Sequence, residues 1–392
     1  MDCTWTAWDH PQLTYQNGWI KAESGAEAAW SGASVNFLAP PGPVEVDLSD
    51  NSGRTEGEAN FVAIFYDDVL MERIPLRPGR HRYRLPSVNQ PTQIVVGKAT
   101  EPMVGTIGFH GVCLAAEPLP VQERMSLVLI GDSITAGYGA LATSGRETFH
   151  PSTEAGMQAY GARAARILDL VFLGRAWSGR GVFRNSDGSR DITMRELWSQ
   201  ANPLDRDVTT DGLEETVPAL IGINLGTNDF AQGQPPPESF VEAYLELIAQ
   251  IRARWEKEIP IIVMLGTMLQ DRERPGFDRS DLVVARELLQ TVVQRRRADG
   301  DERIFFFEMR PQDADDGFGA NYHPSLATQK RMADELVRFI RDQGLMQSSE
   351  AGNAPDQDRA REPALLPASN EVSDRAAAES TGLDSAPHED NP

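Results

Sequence analysis

Leu127-Val128-Leu129-Ile130-Gly131-Asp132-Ser133-Ile134-Thr135-Ala136-Gly137-Tyr138-Gly139 runs four apolar residues straight into a glycine-rich turn that carries a serine. A short, unbroken apolar run reads as a strand buried on both faces. Comparable runs follow at residues 171–173, 220–225, 260–265 and 304–307. Between them the apolar positions recur at helical spacing over about 153–170, 192–200, 237–255 and 280–297, and a last helix is predicted at about 326–343. Strands alternating with amphipathic helices predict an α/β fold, a parallel sheet covered by helices on both faces. Reactive groups in such a fold gather at the carboxyl ends of the strands, and Ser133 stands at the end of the first.

Upstream the texture differs. Residues 33–38, 44–48, 61–66, 80–85 and 93–96 are short β-prone runs, divided by turns such as Pro40-Pro41-Gly42-Pro43 and Arg77-Pro78-Gly79. Strands this short and regular, with no helical period between them, predict an all-β, jelly-roll-like sandwich. Downstream, residues 346–392 hold ten acidic and three basic residues and little apolar material, which predicts a disordered acidic tail. The expected organisation is a sandwich over 1–120, an α/β domain over 121–345 and a tail over 346–392.

The chain has 392 residues, 40% of them hydrophobic, and 37 basic against 58 acidic side chains leave a net charge of −21. Such a field disfavours nucleic acid and anionic membranes as partners. The longest apolar stretch, residues 259–265, is far short of the ~20 residues of a membrane span. As written, the N-terminus lacks a basic segment followed by an apolar one, so no export signal and a cytoplasmic location are expected. Cys3 and Cys113 are distant and lack C-x-x-C spacing, which excludes a zinc ribbon and predicts two free thiols. None of the four lysines completes a P-loop. Gly137 to Ala142 fits a loose dinucleotide fingerprint but opens no apolar helix, and Asp313-Ala314-Asp315-Asp316 lacks the spacing of a calcium loop. No metal or cofactor is implied, and the sequence is compatible with a monomer.

Gly-Asp-Ser alone says little, because these residues also populate ordinary loops. Three further blocks follow in order at strand ends: Trp177-Ser178-Gly179-Arg180-Gly181, Gly226-Thr227-Asn228-Asp229 and Asn321-Tyr322-His323-Pro324. The series resembles the four blocks of the SGNH, or GDSL-type, hydrolase superfamily over about residues 125–343. The extended Gly-Asp-Ser-Ile-Thr-Ala-Gly-Tyr-Gly, the Ser-Gly-Arg-Gly block and the upstream sandwich are similar to the second family of carbohydrate esterases. So are Tyr15-Gln16-Asn17-Gly18 and Ala29-Trp30-Ser31-Gly32-Ala33-Ser34-Val35. The resemblance implies a flavodoxin-like hydrolase domain and removal of acetyl groups from carbohydrates. It also implies export, against the absence of a signal.

Serine-based ester hydrolysis needs a base and donors for the developing oxyanion. Of six histidines, His10, His81 and His110 fall in the sandwich and His388 in the tail, leaving His150 and His323. His323 lies beyond the last strand, where a loop can reach Ser133, and Pro324 suits a helix start. His150 is expected at the surface or the substrate edge. The resemblance assigns the oxyanion hole to the Ser133 and Gly179 N–H groups and the Asn228 amide. It also places an aspartate three or two residues before the histidine, where this chain has Ala320 and Asn321. The expectation is a Ser133–His323 dyad with the imidazole oriented by a backbone carbonyl or by Asn321, and Asp313, Asp315 and Asp316 close by in sequence. Tyr138, Trp177, Phe230 and Tyr322 are candidates for stacking on a sugar, Trp177 and Tyr322 foremost. Two other readings are an SGNH lipase or thioesterase acting on longer acyl chains, and a sugar-binding protein with weakened catalysis.

Overall fold

The computed structural model describes residues 3–205, 216–272 and 275–346; apart from Met346, the expected tail lies outside them. The N-terminal part contains β1 (Thr4–Ala7), β2 (Thr14–Gln16), β3 (Ile20–Ala22), β4 (Gly25–Ala28), β5 (Ser34–Ala39), β6 (Gly42–Asp50), β7 (Phe61–Tyr66), β8 (Val69–Pro75), β9 (Gly79–Val88), β10 (Thr92–Lys98) and β11 (Ile107–Leu114). They form two antiparallel sheets, one in the order β3-β4-β11-β6-β9 with β1 also on β11, the other β2-β5-β10-β7-β8. Period-two alternation sends Val62, Ile64, Ile94 and Val96 of the second sheet inward, where they meet Val44, Val46, Leu48 and Phe109 of the first.

The outward face of the second sheet is equally apolar. Phe61, Ala63, Phe65 and Val95 pack with Met157, which belongs to the C-terminal part. At ~1.5–3 kcal/mol for each large side chain so buried, this face holds the sandwich against its neighbour. Asn17 Nδ2 donates to the Gly174 carbonyl at 3.1 Å and Trp30 Nε1 to the Gln200 carbonyl at 2.9 Å, so the contact is specific as well as apolar.

Cys3 and Cys113 form a disulfide with Cα atoms 5.4 Å apart, which corrects the expectation of free thiols. Pairing of β1 with β11, which sets Trp5 opposite Cys113, brings the sulfurs together across 110 residues.

The C-terminal part is a five-stranded parallel sheet made of β12 (Ser126–Gly131), β13 (Val171–Ala176), β14 (Pro218–Asn224), β15 (Ile261–Leu265) and β16 (Ile304–Glu308). Its order, β13-β12-β14-β15-β16, is the flavodoxin-like one and puts a topological switch point between β12 and β14. The helices are α1 (Ser133–Ala136), α2 (Tyr160–Ile167), α3 (Met194–Leu197), α4 (Pro237–Arg254), α5 (Asp281–Ala298) and α6 (Leu326–Asp342). Leu127 and Leu129 face Tyr160, Met332 and Leu336 on one side, while Val128 and Ile130 share the other core with Phe240, Tyr244 and Leu289. Both faces are thus covered, as the apolar runs required.

The helix expected over 153–170 is shorter than its pattern. Residues 151–158 make two single turns before α2, because Gly156 is drawn onto the sandwich: its N–H donates to the Ala99 carbonyl at 2.9 Å, and a Cβ there would lie 1.8 Å from Ser31 Oγ. At α6 the N-cap is Ser325, whose hydroxyl accepts from the Thr328 N–H at 3.1 Å, so Pro324 stands before the helix and not at its first position.

Candidate active site

β12 delivers Ser133 to the first position of α1, at the switch point. Asp132 caps this helix by accepting from the Ile134 N–H at 3.0 Å. The Ser133 N–H, at the orphan end of α1, has no acceptor among the described residues. Ser133 Oγ lies 2.9 Å from His323 Nε2, and His323 Nδ1 lies 3.1 Å from the Ala320 carbonyl. That carbonyl can take only an N–H, so it fixes the tautomer with a proton on Nδ1 and leaves Nε2 free to accept from the serine. Burial pushes the imidazole down from 6.5 to about 4, opposed by its backbone hydrogen bonds, so the ring is neutral at pH 7.

Position 320, where the resemblance implies an aspartate, holds a fully buried alanine packed against Gly139. Gly139, at φ +61°, lies so close that a Cβ on it would be 2.5 Å from the Ala320 Cβ, and Ala320 is fully buried. Asn321 does not reach the imidazole nitrogen. Its Oδ1 accepts from the Tyr138 hydroxyl at 3.1 Å and the Phe149 N–H at 3.0 Å. Of the two orienting groups expected, the backbone carbonyl fills the role. Asp316 is engaged elsewhere, 2.7 Å from Arg331 Nε, and Asp313 accepts from the N–H groups of Asp315 and Asp316. Among the described residues, no carboxylate hydrogen-bonds to His323.

β13 leads to Gly179, which has φ +78°, a conformation that favours glycine. Its carbonyl accepts from Ser186 N–H at 2.8 Å, and its own N–H has no acceptor among the described residues. β14 leads to Asn228, whose amide donates to the Arg180 carbonyl at 2.9 Å and to Asp132 Oδ2 at 3.2 Å. Burial raises Asp132 to about 7. Asp229, wholly buried and raised by burial to about 6, accepts from the N–H groups of Val182, Phe183 and Arg184 at 3.1, 2.7 and 2.9 Å. It ties the loop after Gly179 to the strand end that presents Asn228, a role that the sequence did not suggest.

The aromatic candidates divide. Tyr138 stacks on Phe149 and lies against His323, both with centroids 4.3 Å apart, so it supports the imidazole. Phe230 is buried against Phe240. Trp177 is half-buried beside the Arg180 guanidinium, and Tyr322 is 53% exposed, so these two have surface to offer a ligand. His150 caps the turn at Pro151–Thr153 and contacts Glu58 at 3.1 Å. These bonds give it a structural place, and none of them is to Ser133 or His323.

A serine hydroxyl paired with a histidine at the switch point of a flavodoxin-like sheet is an arrangement suited to acyl hydrolysis. The chain belongs to the GDSL-like lipase/acylhydrolase family, whose sequence profile matches residues 129–331. It is 30% identical over 344 residues to the cellulase/esterase CelE of Acetivibrio thermocellus, and 22% identical over 225 residues to an acetylxylan esterase/glucomannan deacetylase of Cellvibrio japonicus. The matches cover 85% and 57% of this chain, and 40% and 58% of those relatives, so it spans about half the length of the curated proteins it resembles. A solved family two carbohydrate esterase from Clostridium thermocellum, in complex with cellohexaose, superposes with a TM-score of 0.75 at 26% identity, covering 85% of this chain and all of that one. An acetyl xylan esterase from the rumen bacterium Butyrivibrio proteoclasticus shares the fold, with a TM-score of 0.75 at 20% identity over 88% of this chain and all of that one.

Proposed function

We propose that the chain is a serine ester hydrolase that removes O-acetyl groups from carbohydrates. The observation that carries the reading is the 2.9 Å approach of Ser133 Oγ to a neutral, oriented His323 Nε2. The relatives' names, an acetylxylan esterase and a family two carbohydrate esterase with bound cellohexaose, support the substrate class. Ser133 Oγ attacks the acetyl carbonyl carbon while its proton passes to Nε2. The carbonyl oxygen, now an oxyanion, is held by the Ser133 and Gly179 N–H groups and by Asn228, whose longer bond to Asp132 gives way to it. Collapse breaks the bond to the sugar oxygen, which leaves with the proton from Nε2. Water then attacks the acetyl-serine and gives one proton to Nε2; as that proton returns to Ser133 Oγ, acetic acid departs and loses its remaining proton to solvent as acetate. His323 carries a charge only transiently, and the Ala320 carbonyl is the group that faces it.

Acetate release from acetylated xylan, glucomannan and short acetylated oligosaccharides, measured alongside longer acyl esters, tests the proposal. Acetyl esters of sugars should be cleaved in preference, and Ser133→Ala should abolish turnover with the fold kept. Preference for long acyl chains, or turnover by the folded variant, contradicts it.

A further inference from the structure

The sandwich contributes a charged group to the catalytic loops. Glu101, in the loop between β10 and β11, is fully buried, yet its carboxylate turns toward the C-terminal part. Oε2 accepts from the Ser178 N–H at 2.6 Å, and Oε1 accepts from the Ser178 hydroxyl. Ser178 precedes Gly179, so both hydrogen-bond donors of the residue on its amino side are held by one carboxylate. The Gly179 carbonyl is held on the other side by Ser186. What remains is the Gly179 N–H, left without an acceptor among the described residues.

Glu101 is itself rigidly mounted. Its N–H donates to Glu154 Oε2 at 3.1 Å, and its carbonyl accepts from Lys98 Nζ at 3.1 Å. Lys98 is fully buried and also donates to the Thr100 carbonyl at 2.6 Å. Thr100 Oγ1 is anchored in turn on Asn60 Oδ1 at 2.6 Å. Arg73 closes the far side by donating to the carbonyls of Pro151 and Glu154. Burial, together with Glu101 beside it, raises the Glu154 carboxyl well above its ordinary range. Burial raises the Glu101 carboxyl as well, and there the two hydrogen bonds from Ser178 and the nearby Lys98 oppose the shift. Two carboxyls, a lysine amine and a guanidinium in one largely buried interface are a costly way to join two parts that already share an apolar contact. The arrangement makes sense if orientation is what it supplies.

We propose that Glu101 of the sandwich is a positioning residue for ester cleavage, holding Ser178 at both donors so that the Gly179 N–H points at the oxyanion. This rests on the serine hydrolase reading above. It gives the sandwich a part in the chemistry of the hydrolase sheet: Ser186 holds the carbonyl side of Gly179, and Glu101 holds the residue on its amino side.

The test is steady-state kinetics on an acetyl ester with the full chain, its Glu101→Gln, Ser178→Ala and Ser133→Ala variants, and thermal melting for each. Loss of an oxyanion donor typically costs ~100- to 1,000-fold in kcat, so misdirecting one in Glu101→Gln should lower kcat by ~10- to 100-fold, with KM within about twofold. Ser178→Ala keeps the N–H bond to Glu101 and should lose only ~3- to 10-fold. A folded Glu101→Gln protein with kcat within about twofold of the parent, or a loss confined to KM, overturns the proposal. If Glu101→Gln fails to fold, an unchanged kcat in Ser178→Ala overturns it equally. Should Ser133→Ala also retain turnover, the hydrolase reading fails first; an inactive Ser133→Ala beside a fully active Glu101→Gln removes only the role of Glu101.

Discussion

Titration of the catalytic base gives the sharpest consequence of a serine–histidine pair without an acid. An aspartate facing Nδ1 would stabilise the imidazolium and raise its pKa; the Ala320 carbonyl carries no full charge, and burial pushes His323 down to about 4 instead. The base works only when neutral, so activity is complete above this pKa and is lost as pH falls through it. At pH 5.5 a group titrating at 4 is about 97% neutral, whereas one at the ordinary 6.5 is about 9% neutral, a tenfold difference in kcat/KM. The assay is kcat/KM for a soluble acetyl ester between pH 3.5 and 8, followed by acetate release so that the reporter does not itself titrate, with stability checked at each pH. The acidic limb should have its midpoint nearer 4 than 6.5. Asn321→Asp should move it by less than about one unit and kcat by less than about threefold, because that side chain is directed at Tyr138 and Phe149. A parent midpoint at or above 6.5 would mean that burial does not depress His323 or that a charged group offsets it, and the reasoning would fail.

Two further outcomes concern stability. Asp229→Ala leaves the buried N–H groups of Val182 and Phe183 and the partly buried one of Arg184 unpaired, at ~1–3 kcal/mol for each buried group; even with the cost of burying the carboxylate recovered, it should destabilise by about 3 kcal/mol in urea unfolding, and a loss under about 1 kcal/mol contradicts its bridging role. Replacing Cys3 and Cys113 by alanine, or reducing them, should cost about 2–4 kcal/mol of stability at unchanged low-temperature turnover, since Ser133 follows a different sheet; an unchanged melting temperature would argue against the bridge.

The parallel sheet was legible because both its faces are buried, so strands such as Leu127 to Ile130 contain nothing but apolar residues. The sandwich strands β5, β6, β7 and β10 announced themselves by their β-branched and aromatic residues, and β9 as a short run behind the turn at Arg77-Pro78-Gly79. β11 did not, because Gly108, His110 and Gly111 interrupt it and the ladder shifts register between Phe109 and Gly111. β8 was hidden by Met71, Glu72 and Arg73, which break the alternation. Ser133 and His323 could be read from ordered motifs, whereas the partner of His323 could not: a backbone carbonyl leaves no trace in side-chain identity. Glu101 and Ser178 are 77 residues apart and touch only because the sandwich packs on the sheet. The Cys3–Cys113 bridge depends in the same way on a strand pairing that no spacing rule contains.

The central claim is that Ser133 carries the acetyl group during turnover. Rapid acid quenching of the protein with an acetylated oligosaccharide, followed by peptide mass spectrometry, tests it directly. The peptide containing Ser133 should gain one acetyl group, and the gain should vanish in Ser133→Ala together with acetate release. Acetate release without acetylation at Ser133, or continuing in the folded Ser133→Ala protein, would contradict the account.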